Sequence, residues 1–166
     1  EDSLNGELGA HVACSECVGL GEVSLFSIDG RDHQHTCLPE RPATGRMMTN
    51  AGQTRSVGAE VWIQYTPWRQ VDLNVAYGYT DARFVRYDNG QEDFAGKHIP
   101  YAPQHTLAAD AVWTIPTGVE WLGDVVVQAG TRCAGPSWWN EQHTRPAPPR
   151  ALLVHPVLLD APHTPP

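Results

Sequence analysis

Residues 71–87 read VDLNVAYGYTDARFVRY. From Val71 to Thr80 the alternation is unbroken. Val71, Leu73, Val75, Tyr77 and Tyr79 fall on one side, with Asp72, Asn74, Ala76, Gly78 and Thr80 on the other. A period of two belongs to a β-strand with two unlike faces. At about 3.3 Å per residue the whole stretch reaches roughly 55 Å, against about 5–6 residues for an ordinary globular strand. Tilted by about 45°, it rises near 40 Å, enough to cross a bilayer and project beyond it. The fold turns on whether the apolar face looks at a second sheet or at lipid.

Further strands lie on either side. Asn5 to Cys14 alternates, Leu8, Ala10 and Val12 opposing Glu7, Gly9 and His11. Glu22 to Asp32 reads as a second strand whose faces stay unassigned, because the pair Leu25-Phe26 breaks the phase. Met47 to Tyr65 is a third, the opening stretch a fourth, Gln104 to Ile115 a fifth and Asp124 to Arg132 a sixth. Ala151 to Leu159 is a candidate seventh with poor alternation. Short links (SECVGLG, TPWRQ, PTG) alternate with long ones (HQHTCLPERPATG, DNGQEDFAGKHIPYAP, CAGPSWWNEQHTRPAPP). In an up-and-down meander that gathers turns at one end and loops at the other, as in outer-membrane barrels. No segment has a helical period, which argues against α/β architectures. Aromatics stand near strand ends: Tyr65, Trp68 and Trp121 by the turns, Tyr87 and Tyr101 by a long loop. Barrels place such girdles at both interfaces.

Composition narrows the classes. The chain has 166 residues, 41% of them hydrophobic, and a net charge of −8, with no basic stripe for nucleic acid. No run of about 18 apolar residues forms a membrane helix, although barrel strands leave only a weak hydropathy signal. Glycine (15) and proline (14) cluster between apolar segments, as in an all-β chain. The chain starts at Glu1 without a leader, which reads as a processed protein or a piece of a longer one.

Few residues suggest chemistry. Cys14-Ser-Glu-Cys17 is a lone C-x-x-C, and Asp32 to Cys37 offers His33, His35 and Cys37. Structural zinc usually needs two paired motifs. These clusters sit at opposite ends of one strand, so no shared metal site is expected. With Cys133 there are four cysteines, whose commoner fate is a local disulfide or free thiols. Asp88, Glu92 and Asp93 surround Gly90 without the calcium-loop pattern. Trp138-Trp139 suits either a ligand or a neighbouring loop. No nucleophile elbow, phosphate loop or H-E-x-x-H occurs, so neither catalysis nor a resident cofactor is expected.

Several segments together carry a resemblance. Asn50-Ala51-Gly52, Ser56-Val57-Gly58-Ala59-Glu60, the Tyr-rich run Tyr77 to Ala82 and Gly96-Lys97-His98-Ile99-Pro100-Tyr101-Ala102-Pro103-Gln104-His105 follow one another in order. Across residues 4–135 the chain resembles the C-terminal part of TonB-dependent outer-membrane receptors of the siderophore type. That family forms a single-chain barrel of about 22 strands around a plug. The resemblance implies an all-β, antiparallel up-and-down meander: six or seven strands of a larger transmembrane barrel in a bacterial outer membrane. Even the smallest barrels need about eight strands, so the chain reads as a fragment. The implied partners are outer-membrane lipid, the remaining barrel and plug, the energy-coupling TonB protein and a ferric siderophore or similar ligand.

In that setting Glu7, His11, Glu60, Gln64, Asp72, Asn74 and Asp110 are expected on the wet inner face, and Val71 to Tyr79 on the lipid face. Residues 1–145 are expected to form the barrel strands. Residues 146–166 depart from the family texture and are expected to be an irregular Pro-rich tail, with truncation or a shifted reading frame as one account of it. The alternatives are a soluble antiparallel binding module, for instance for carbohydrate, and a passive porin-like pore. The module requires the apolar face of 71–79 to be buried under a second sheet.

Overall fold

The computed structural model describes residues 2–14, 18–31, 34–37, 47–50, 52–87, 92–119, 123–140, 142–154 and 157–160. These are strands, turns and bridges without a helix. In chain order the strands are β1 (Asp2–Cys14), β2 (Gly19–Arg31), β3 (Gln34–Cys37), β4 (Met47–Asn50), β5 (Gln53–Trp68), β6 (Val71–Arg86), β7 (His105–Ile115), β8 (Asp124–Ala134), β9 (Ser137–Trp138), β10 (Pro146–Ala147), β11 (Arg150–Val154) and β12 (Val157–Asp160). The main sheet runs β1-β2-β5-β6-β7-β8, with β11 and β12 both on the far edge of β8. Every pairing is antiparallel and the strands of this sheet follow one another in chain order, β3–β4 and β9–β10 pairing apart from it, so the sheet is a meander. It forms an open arc, since β1 and β11 are not joined.

The register settles the faces. Val23 and Val61 oppose each other, Val61 opposes Tyr77, and Tyr77 opposes Leu107. One apolar face therefore extends from Leu8 on β1 through Leu25, Ala59 and Tyr79 to β7 and β8. The ambiguous pair on β2 resolves with Leu25 on this face and Phe26 on the other. Phe26 lies opposite Gly58, whose missing side chain leaves room for the ring; a Cβ there would strike Phe26 and the Tyr79 carbonyl. The local alternation of β2 could not reveal this, because the deciding residue sits on β5.

Among the described residues no second sheet covers the apolar face. Leu8 is 73% exposed and Val75 40%, and Val23, Ile63, Tyr77 and Trp113 are exposed as well. The soluble module would require this face to be packed. The other face is concave. Side chains from β1, β2, β5, β6, β7, β8 and β11 line one hollow of about 790 Å³ on that side.

The turn end is tight. Thr66 Oγ1 donates to Asp72 Oδ1 at 2.7 Å across the β5–β6 turn, and Pro67 falls in the register shift between Tyr65 and Trp68. Proline lacks the ladder donor, so a bulge is where a strand tolerates it. The loop end is larger. After β6 the chain turns back and runs beside it: Phe84 N–H donates to the Lys97 carbonyl (3.0 Å), Ile99 N–H to Ala82 (2.9 Å) and Thr80 N–H to Gln104 (2.9 Å). Phe84 (1% exposed), on β6, packs there with Tyr87, Phe94 (2%) and Ile99 into a small core at the loop end.

The structure departs from the sequence expectations in several places. Met47–Asn50 does not begin the third strand; it pairs with Gln34–Cys37 in a separate hairpin. The break falls at Gly52 (φ +42), in the left-handed region that glycine accepts without strain, and a Cβ there would strike the Arg86 carbonyl. Tyr87 is buried in the loop-end core and so is no interface aromatic. Trp121 lies outside the described residues.

The candidate seventh strand, Ala151 to Leu159, forms as β11 and β12, so part of the tail 146–166 is extended where an irregular segment was expected. Arg150–Val154 pairs with Ala134–Gly130, and Val157–Asp160 continues on Val127–Asp124 in the same register. Pro146–Ala147 pairs with β9. Main-chain hydrogen bonds to a free strand edge need no side-chain alternation, so the pattern-poor run ALLVHPVLLD could still be recruited.

Candidate functional site

The register puts all seven residues expected on the inner face there: Glu7, His11, Glu60, Gln64, Asp72, Asn74 and Asp110. Glu7 and Glu60 line the large hollow with Glu22, Trp62, Arg132 and Arg150. The carboxylates come from β1, β2 and β5, and the guanidiniums from β8 and β11, so the two walls of the hollow carry opposite charge. His11 Nδ1 lies 3.8 Å from Glu22 Oε2. Asp110 lines a smaller hollow of about 210 Å³ with Gln128 and Arg132, its carboxylate lying over Gly130. A side chain at Gly78 would likewise meet Thr106 Oγ1 at 2.8 Å. Glycines thus make room for polar groups on the inner face.

At the loop end two connections lock together. Trp138 stacks on His143 (centroids 4.6 Å apart, 11°), and the His143 ring faces His98 at 5.8 Å. His143 Nε2 donates to the His98 carbonyl at 3.0 Å, so that nitrogen carries the proton. His98 Nδ1 lies 3.2 Å from Asp81. Tyr101 N–H donates to the Trp138 carbonyl at 2.8 Å, and the Tyr101 ring meets Trp139 edge-on at 5.6 Å. Arg150 caps the Trp139 ring at 5.5 Å. Both tryptophans therefore pack against the neighbouring connection. Trp139 and Tyr101 remain exposed, and Tyr101 holds a left-handed backbone (φ +62), uncommon for a bulky residue. Sequence reasoning named the two tryptophans but missed His98, His143 and Arg150, which lie far apart in the chain.

The cysteine and histidine clusters give no site in the described residues. Cys17, Asp32 and His33 lie outside them, and among the described residues no three His, Cys, Asp or Glu side chains gather as a metal centre. Cys133 is a free thiol on the apolar face, 3.7 Å from Thr131 Oγ1. Of the acidic loop, Asp93 accepts from Ala95 N–H (2.9 Å), and Glu92 lies 3.5 Å from Lys97 Nζ; Asp88 and Gly90 are outside the described residues.

Above the apolar face, Arg83 Nε donates to both Asp81 oxygens at 2.9 and 3.0 Å. That hydrogen bond, reinforced by the carboxylate charge, raises the guanidinium pKa further above its ordinary value.

The meander of long strands with one uncovered apolar face and one polar, concave face is the wall of a barrel. A sequence model of the TonB dependent receptor-like β-barrel matches residues 4–153. The chain belongs to that family. TonB-dependent receptor barrels are outer-membrane proteins, and the match takes in β11, beyond the point where the sequence texture changes. The ferric yersiniabactin uptake receptor FyuA from Yersinia pestis superposes with a TM-score of 0.72 at 16% identity, over 96% of this chain and 22% of that one. BauA, the ferric preacinetobactin receptor from Acinetobacter baumannii, gives 0.68 at 21% identity, over 91% and 21%. The chain thus spans about a fifth of the length of these receptors. At such identities the likeness concerns the fold. No curated protein sequence matches the chain.

Proposed function

We propose that the chain supplies wall and extracellular loops to an outer-membrane receptor that imports a ferric siderophore or a similar ligand with energy passed on by TonB. The observation that carries this reading is the two-faced sheet. Its apolar face is continuous and uncovered, its polar face is concave, and its long connections gather at one end. A lipid exterior and a wet lumen suit those faces. Lower aromatics (Tyr65, Trp68, Trp113) and upper aromatics (Tyr77, Tyr79) on the apolar face bracket the band. The oppositely charged walls of the hollow suit a plug with matching charges, and the aromatic loop apron suits ligand capture. In this reading the chain performs no catalysis.

Uptake of radiolabelled ferric siderophores by cells expressing the full receptor, with and without TonB, tests the proposal. Uptake that requires TonB is expected. Uptake that persists without TonB would indicate a passive pore, and failure to bind any ferric siderophore would remove the assigned ligand class.

A further inference from the structure

Beyond the apolar band, at the loop end, one cross-strand row reads Asp29, Arg55, Arg83, His98. Arg55 and Arg83 are directly opposed, an arrangement of like charges that costs a sheet stability. Both are well exposed, with side chains 58% and 49% accessible. They lie on the face that carries Val57 and Tyr79. Each uses its Nε edge internally: Arg55 Nε donates to Asp29 at 2.6 Å and Arg83 Nε to Asp81. Their terminal amino groups have no partner among the described residues. Arg31 on β2 and Arg86 on β6 lie beyond them, both opposite Gln53, and Lys97 lies beside His98. Five of the chain's 11 cationic side chains thus stand at one rim, although the net charge is −8. The acidic groups facing them are Asp2, opposite Arg31, with Asp29, Asp81 and Glu92.

Height matches charge. From Tyr79 to Arg83 the strand advances about 13 Å, or roughly 9 Å in height at a tilt of about 45°. The headgroup layer occupies about 5–8 Å beyond the hydrocarbon.

We propose that Arg55 and Arg83 together hold a phosphate of an outer-leaflet lipid headgroup. This rests on the reading that the apolar face meets lipid and the long connections face outward. The aspartates orient each guanidinium by its Nε edge, which leaves the terminal amino pairs, whose planar fork fits phosphate oxygens bidentately.

The test uses the full receptor in dodecyl maltoside micelles without any siderophore, so it is independent of transport. Native mass spectrometry follows titration with dioleoyl phosphatidic acid, with phosphatidylcholine and inorganic phosphate as comparisons. Phosphatidic acid is expected to bind preferentially, and R55Q/R83Q to bind it roughly tenfold or more weakly. R55K/R83K should fall between, keeping the charge and losing the fork. R69Q, at the opposite end of the sheet, should match the parent. Heat-modifiable gel mobility establishes that each variant is folded. Equal lipid binding by R55Q/R83Q and the parent overturns the proposal, as does equal loss in R69Q. Displacement by inorganic phosphate at comparable concentration replaces the lipid with a soluble anion and overturns it too.

Discussion

Val75 is the most discriminating position on the sheet. It lies midway between Val71 and Tyr79, opposite Ile63 and Ala109, and is 40% exposed. Four residues of strand separate it from either end of the band, about 13 Å along the strand and roughly 9 Å in height. In a band about 25 Å tall, that places Val75 near the midplane. Val75→Arg is therefore expected to cost about 2–4 kcal/mol, a shift of roughly 30- to 700-fold in the folding equilibrium. Tyr79→Arg, at the interface, should cost about 0–1 kcal/mol. Asn74→Arg is on the wet face, where it should be tolerated. The assay is reversible guanidinium unfolding of the full receptor in phospholipid vesicles, followed by heat-modifiable gel mobility. The depth gradient is the signature. If Val75→Arg stays within about 0.5 kcal/mol of the parent, as for a surface substitution in water, the face does not meet lipid. If Asn74→Arg costs as much as Val75→Arg, the face assignment itself is wrong.

Three further outcomes follow from particular contacts. Gly58→Ala should destabilise by about 1–3 kcal/mol, because its Cβ meets the Phe26 ring, and Phe26→Ala should recover part of that loss in a double-mutant cycle on unfolding midpoints. Phe94→Ala removes a 2%-exposed ring from the loop-end core and should cost about 3–5 kcal/mol locally; amide exchange at Phe84, Gly96 and Lys97 should accelerate while the β5–β6 ladder stays protected, and unchanged exchange would refute a core there. His143→Ala removes both the Trp138 stack and the bond to the His98 carbonyl. Protease nicking of residues 92–104 should then rise with no change in global unfolding, and equal resistance would show the two connections are not coupled.

The alternation of 71–80 determined by itself that a long strand with one apolar and one polar face exists, since side-chain direction has period two whatever the neighbours are. The same logic placed β1, β7 and β8 to within a few residues, found β5 but began it six residues early, and put all seven inner-face residues on one side. Periodicity failed where the cause was non-local. The phase of β2 depends on the space left by Gly58 on another strand. Residues 150–154 and 157–160 became strands despite their poor alternation because β8 offered an unpaired edge, and main-chain pairing does not read side-chain pattern. Tyr87 looked like an interface aromatic and became core because the returning chain sets Phe94 against it, the Phe94 N–H donating to the Tyr87 carbonyl at 2.8 Å. Which face is concave, and that the Trp138 and His98 connections lock together, were likewise decided by tertiary structure. The arc that makes one face concave arises from the whole set of paired strands, and stacking between residues 45 apart in sequence leaves no local mark.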